Sequence, residues 1–303
     1  MSKSALVVGE SLVDIVRGGD GSTTEFAGGS AANVAVALAR LDRPVDFASS
    51  WGDDDRGRVL AERLERDGVS LAVDPHAIGH TSTARATLGS DGHASYTFDL
   101  SWRLNPLRDG VDPVVVHTCS LGAVLAPGAE DVLVLLERLR EDATISYDVN
   151  VRPAITGTGP DLVARVEAVA ASSDLVKASD EDLEALYAEL DPVTAAKRLL
   201  ALGPAAVVVT RGQSGATWVS TTHEVDVAAV PVVVADTIGA GDTFCAAMLD
   251  RLWARGLLGP NGREALVDVA RDAVVDVLSF AARAAAVTVG RPGADPPYRR
   301  ELS

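Results

Sequence analysis

The chain has only three lysines among its 303 residues, Lys3, Lys177 and Lys197; the other 24 basic residues are arginine. Even together they are outnumbered, 27 against 43 acidic residues, for a formal net charge of −16. That balance argues against a nucleic-acid groove or an anionic membrane surface as the partner, because both call for a cationic face. A small anionic ligand stays open, since backbone amides can hold one without net positive charge. Cysteine is almost absent. Cys119 and Cys245 stand alone in apolar or small-residue surroundings, with no CxxC or Cys/His spacing, which argues for two reduced thiols and against a metal cluster. Long hydrophobic runs are missing too. The start, MSKSALVVGESLVDIV, lacks the apolar stretch and cleavage site of a leader, and no segment approaches a membrane span. The expectation is a soluble, cytoplasmic protein with neither nucleic acid nor membrane as partner.

What the chain has is core material: 47% hydrophobic residues and a mean hydropathy of +0.17, enough for one large α/β core with a small appendage. LVVGESLVDIV, from residue 6, reads as a strand or a bent pair of strands. Ala31 to Leu41 switches to helix formers behind a Gly-Gly entrance. VDFASSW is a short strand, and RGRVLAERLERDGV an amphipathic helix closed by Gly68. Around Asp91-Gly92, TARATLGSDGHASYTFDL alternates like a hairpin with nothing helical beside it, which predicts a smaller accessory sheet. VVVHTCS, ATISYDV, SDLVKAS and AAVVVTR are then strands, separated by helices near 129–141, 160–171, 180–190 and 193–202. Short, continuously apolar strands between helices imply a largely parallel sheet covered on both faces. ATWVSTTHEVDVAAVPVV adds a second hairpin-like region, and helices over about 240–256 and 263–287 close the chain. There is no repeat and no clean linker, so the expectation is a single domain over 1–303.

The chemistry concentrates in ADTIGAGDTF, residues 235–244, read as the end of a strand, a glycine-rich turn and the start of a helix. The first amides of a helix lack intrahelical acceptors and, with the helix dipole, attract an anion; glycine lets the ligand come close. A carboxylate directly beside such a cradle has two readings. Asp242 is either an ordinary first-turn acid favoured by the dipole, or the base that takes a proton from a hydroxyl attacking phosphorus. Rival motifs fail. Walker A needs a Lys after the last glycine, and a dinucleotide fingerprint needs GxGxxG after the first strand, where this chain has VVGES.

GGSAANVAVALARL and DTIGAGDTF, in that order, resemble the two signature regions of the ribokinase-like (PfkB) carbohydrate kinases, and the likeness runs from GESLVDIV to RPGADPP. The resemblance implies an α/β fold, a ribokinase-like, Rossmann-type three-layer sandwich with a small β-sheet lid. The lid strands would fall within about 11–25 and 83–102 and would be shared in a homodimer. The implied reaction is ATP-dependent phosphorylation of a sugar hydroxyl with Mg²⁺, sugar and ATP being the small-molecule partners. Asp242 becomes the base, and the amides of Gly239, Ala240 and Gly241 the anion hole. Asp14 is implied to accept hydrogen bonds from sugar hydroxyls, with Gly28, Gly29 and Asn33 beside the sugar.

Further matches are implied in the same way. In DVNVRPAI, Arg152 is the substrate or phosphate contact, with Asp148 and Asn150 organising the loop. In VKASDEDLEAL, Lys177 points to ATP. Ser179 and Asp182 stand where the family has the Asn and Glu of N-x-x-E, so Asp182 would reach Mg²⁺ through water with one methylene less; the same pair also reads as an N-cap with its N3 acid. TRGQSG resembles the nucleotide loop, which puts Thr210, Gly212 and Gly215 beside ATP, with Gly241 at its phosphates. Asp236 and Thr237 match positions that help bind K⁺. GESLVDIV, GGSAANVAVALARL and RPGADPP are most like fructokinases. The runner-up is 2-keto-3-deoxygluconate kinase, whose acidic substrate would call for arginines such as Arg85 or Arg103; ribose or adenosine as acceptor also stays open.

Overall fold

The computed structural model describes residues 3–17, 22–88 and 94–302. The chain begins with β1 (Ser4–Val8), β2 (Leu12–Arg17), β3 (Thr23–Gly28), α1 (Ser30–Arg40), β4 (Val45–Ala48), α2 (Asp55–Arg66) and β5 (Ser70–Leu71). A hairpin pair follows, β6 (Thr83–Leu88) and β7 (Ala94–Asp99). Next come β8 (Pro113–Cys119), α3 (Ser120–Val124), α4 (Gly128–Leu139), β9 (Thr144–Asp148), α5 (Pro153–Thr156) and α6 (Pro160–Ala171). The last third holds β10 (Leu175–Ser179), α7 (Asp180–Leu186), α8 (Pro192–Leu200), β11 (Ala206–Thr210), β12 (Ala216–Ser220) and β13 (Glu224–Val227). It closes with α9 (Ala240–Ala254), α10 (Gly262–Val267) and α11 (Arg271–Val289).

The large sheet has nine strands in the order β13-β12-β11-β10-β9-β8-β1-β4-β5, parallel except where β12 and β13 turn back. Its central strands β1, β8, β9, β10 and β11 are buried almost throughout because both faces are covered, and the period of two sorts their side chains. On β1, Ala5 and Val7 enter the core shared with α1, α2, α9 and α11. Leu6 and Val8 enter the opposite core, formed with α3, α4, α6, α7 and α8. The result is a three-layer α/β sandwich. The chain winds outward from β1 through β4 to β5, then returns to β8 and winds the other way. The crevice where the strand order reverses therefore opens at the C-terminal ends of β1 and β8, the place where open α/β sheets bind ligands.

The small sheet has the order β3-β2-β6-β7 and projects over that edge. Its β3 runs on to Gly28, past the range expected for the lid strands. The hairpin turn expected at Asp91-Gly92 lies outside the described residues. Two expectations for the last third are corrected. VPVVV is not a strand: Pro231 has no amide to give a ladder, β13 ends at Val227, and Val233 stands 89% exposed on an extended crossing segment. The long C-terminal helix is two helices, because the backbone opens at Ala270 (φ −68°, ψ 145°) before α11 begins.

Candidate active site

Gly239 ends the crossing segment in a left-handed conformation (φ 76°) and starts α9; a Cβ there would sit 2.7 Å from that of Ala294. The turn is held from the side by the C-terminal segment, where the Gly293 amide donates to Asp236 Oδ2 at 2.9 Å. Asp236 Oδ1 takes the Ile238 amide at 3.0 Å, and these amide bonds hold the Asp236 carboxyl below its usual range. The first turn of α9 presents the Gly241 and Asp242 amides without intrahelical acceptors; the Ala240 amide makes a long bond, 3.3 Å, to the Thr237 carbonyl.

Asp242 is buried and bound at both oxygens. Ser30 Oγ donates to Oδ1 at 2.6 Å, and Asn33 Nδ2 donates to Oδ2 at 2.7 Å. Both donors lie in the first turn of α1, which begins after Gly29 (φ 106°), where a Cβ would come 2.7 Å from the Glu10 carbonyl oxygen. Behind them stand further donors. Asn150 Nδ2 donates to Ser30 Oγ at 2.9 Å, Arg152 Nη1 to Asn150 Oδ1 at 2.7 Å, and Arg63 Nη2 to Asn33 Oδ1 at 2.8 Å. Asn150 has a left-handed backbone (φ 37°), as does Ser120 (φ 50°), whose hydroxyl donates to the Asn150 carbonyl at 3.0 Å. Non-glycine residues of this kind cluster at functional sites.

Asp14 reaches the same space from the small sheet. A Cβ on Gly28 would collide with its carboxylate. Burial raises the Asp14 carboxyl above its ordinary range, opposed by Arg152 and Arg63. It accepts no hydrogen bond from the described residues, so its oxygens are open to a ligand. Glu10 closes the crevice floor, with Oε2 accepting the Gly122 amide at 2.6 Å and its carboxyl pushed up to about 7 by burial.

Lys177 lies beneath the anion-binding turn. Its ammonium is buried, donates to both oxygens of Asp148 at 3.0 Å, and stands 3.0 Å from where a Gly241 Cβ would be. Ser179 and Asp182 form the capping box that starts α7: the Asp182 amide bonds to Ser179 Oγ at 3.0 Å and the Ser179 amide to Asp182 Oδ2 at 2.7 Å. Asp182 Oδ1 takes the Val151 amide at 2.9 Å. Both carboxylate oxygens thus serve the backbone. Among the described residues no three His, Cys, Asp or Glu side chains converge as a metal site, so the chain's own donors do not fit a protein-held Mg²⁺. Asp236 is in the same position, with one backbone amide on each carboxylate oxygen, and the Thr237 carbonyl beside it accepts the Ala240 amide. Thr210 ends β11 at the same sheet edge, followed by a tight turn in which Gly212 (φ 48°) and Gly215 (φ 88°) take left-handed conformations.

The structure brings together Asp14, Gly28, Gly29, Asn33, Arg152 and Asp242. It adds Ser30, Arg63 and Glu10, which motif reading passed over. Ser30 lies inside GGSAANVA and was within reach of it; nothing in the sequence separates Arg63 from Arg56, Arg58 or Arg66 on the same helix.

Known proteins resemble this chain along its whole length. The model of the pfkB family of carbohydrate kinases matches residues 2–300. A fructokinase of Rhizobium leguminosarum bv. trifolii is 34% identical over 265 residues, covering 84% of this chain and 81% of that protein. The structure of a fructokinase from Xylella fastidiosa with bound ATP superposes with a TM-score of 0.86 at 26% identity, covering 100% of this chain and 98% of that one. A double mutant of a fructokinase from Vibrio cholerae O395, in fructose-, ADP- and potassium-bound form, gives 0.75 at 25% identity over 96% of this chain and 94% of that one. With the family model matching nearly its whole length and a relative 34% identical over most of it, the chain belongs to the pfkB family of carbohydrate kinases and phosphorylates a sugar at the expense of ATP.

Proposed function

We propose that the acceptor is D-fructose and the product fructose 6-phosphate, made in the cytoplasm. The observation that carries this is the pairing of Asp242 with the anion-binding turn at one end of the crevice and, at the other, Asp14, which has no partner among the described residues. Asp14 and Asn33 hold the sugar by its hydroxyls and turn the 6-hydroxyl toward Asp242. Each Asp242 oxygen accepts one donor and keeps a lone pair. The hydroxyl gives its proton to that carboxylate as its oxygen attacks the γ-phosphorus, the bond to the β–γ bridging oxygen breaks, and ADP leaves. Negative charge growing on the transferring group is received by the open amides of Gly241 and Asp242 and by those of Gly239 and Ala240, the Ala240 amide giving up its long bond to the Thr237 carbonyl; one such donor in a preorganised site is worth about 3 kcal/mol. Arg152, exposed at the mouth, is placed to meet substrate or phosphate.

ATP lies along the sheet edge over Thr210, Gly212, Gly215 and Gly241, with Lys177 supplying positive charge from beneath. Mg²⁺ would be held by the phosphates of ATP and would supply charge neutralisation there; Asp182, with both oxygens on backbone amides, would face it only across water. K⁺ is assigned to Asp236 and Thr237, where it would stiffen the turn that forms the anion hole. A second copy covers the small sheet. In register, Phe26, Asp14, Ala84 and Phe98 form one row, and Phe26 and Tyr96 are 55% and 61% exposed on that face.

An acidic acceptor such as 2-keto-3-deoxygluconate has less support. Arg85 pairs with Ile15, on the face of the small sheet opposite Asp14. The test is ADP release with fructose, 2-keto-3-deoxygluconate, ribose and adenosine as acceptors. Fructose is expected to give the highest kcat/KM; preferred turnover of 2-keto-3-deoxygluconate would reverse the assignment.

A further inference from the structure

We infer that Arg63, on α2 and outside both glycine-bearing motifs, is a positioning residue for the base. Its guanidinium donates from Nη2 to Asn33 Oδ1 and from Nη1 to the Ala27 carbonyl, both at 2.8 Å. Asn33 in turn donates from Nδ2 to Asp242 Oδ2 at 2.7 Å. An amide side chain has one accepting and one donating end. Turned over, Asn33 would set its NH₂ against the guanidinium and its oxygen against the carboxylate, two repulsions at once. Arg63 therefore fixes which end of Asn33 meets Asp242.

The other carboxylate oxygen is served in the same way. Arg152 donates to Asn150, Asn150 to Ser30, and Ser30 to Asp242 Oδ1. Each branch begins at a guanidinium and every donor points toward Asp242, so each bond polarises the next and strengthens the last. The two branches differ in exposure. Arg152 is exposed at the mouth, whereas Arg63 is half-buried with both terminal nitrogens engaged by the protein. Arg63 thus acts through Asn33. With its second bond, to the residue before Gly28, it also ties the end of β3 to the start of α1. A residue that merely held this junction would affect turnover independently of Asn33.

The inference rests on the reading of Asp242 as base, and the experiment separates the two. Steady-state kinetics are compared for Arg63→Met, Asn33→Ala and the double variant, with Arg63→Lys and Asp242→Asn alongside. Arg63→Met is expected to lower kcat about tenfold or more with KM for ATP unchanged. The double variant should be no slower than the slower single one, because Arg63 has nothing to orient once Asn33 is gone. Arg63→Lys, which keeps one donor, should recover part of the loss in the presence of Asn33 and none in its absence. If Arg63→Met fails to fold, the same comparison with Arg63→Lys decides: it must cost turnover beside Asn33 and nothing beside Ala. Effects that multiply in the double variant, or an unchanged kcat in Arg63→Met, overturn the inference. Wild-type turnover by Asp242→Asn would instead overturn the base itself.

Discussion

Asp242 accepts at both oxygens, from Ser30 Oγ and Asn33 Nδ2, and among the described residues no acceptor calls on it to donate. Glu10, at the end of β1, faces the opposite situation. It is buried, with one amide for company, and burial holds its carboxyl up at about 7 where the unfolded chain has 4.5. The folded protein thus binds a proton that the unfolded chain has released between these values. The stability this proton brings is complete below pH 4.5 and is lost as pH rises to 7, a change of about 3 kcal/mol. Glu10→Gln cannot ionise, so the melting temperature of wild type relative to this variant should fall as pH rises from 4.5 to about 7; a constant gap would show that Glu10 stays ionised. This residue illustrates what could be read from the sequence. Asp14, Asn33 and Asp242 sit in motifs whose spacing announces them. Glu10 stands in the same GESLVDIV stretch, yet its proton depends on burial by residues 112 positions away at Gly122.

At the scale of elements, the site depends on how α1 and α9 meet, since one carries Ser30 and Asn33 and the other Asp242. Their far ends are joined by Asp250, on α9 and only 1% exposed. It accepts from Arg43 Nε at 2.6 Å, just past α1, and from Arg299 Nη2 at 2.7 Å in the C-terminal turn. Arg40, at the end of α1, pairs with Asp67 at 2.7 Å and with Asp295 at 2.5 Å, and Asp295 belongs to the segment that braces Gly239. Asp250→Ala should cost about 2 kcal/mol, less than a fully buried pair because both guanidiniums keep part of their hydration. A thermal melt checks it, and an unchanged melting temperature would mean that the arginines find other partners. The parallel strands were legible because burial on both faces leaves an unbroken apolar run. The segment 228–239 misled for the same reason: valines read as a strand, but Pro231 has no amide to give a ladder and Val232, Val233 and Val234 stand exposed. The break between α10 and α11 carries no glycine or proline, so helix-forming residues ran through it unmarked.

For the whole molecule, the small sheet presents Val16, Phe26 and Tyr96 to solvent on the face that bears Asp14, an apolar surface next to the crevice. A second copy covering it would dry the sugar site from above and explain why a chain this acidic keeps aromatics there. Sedimentation is expected to give a dimer, and Tyr96→Glu a monomer with weakened sugar binding; a wild-type monomer with full activity would leave that face without this role. The proposed phosphoryl transfer turns on one carboxylate, Asp242, beside one anion-binding turn. Its most direct test is Asp242→Asn, with ATP affinity measured by calorimetry and fructose-dependent turnover measured on the same preparation. The predicted result is ATP binding close to wild type with kcat reduced about 10³-fold; turnover within tenfold of wild type would contradict Asp242 as the base.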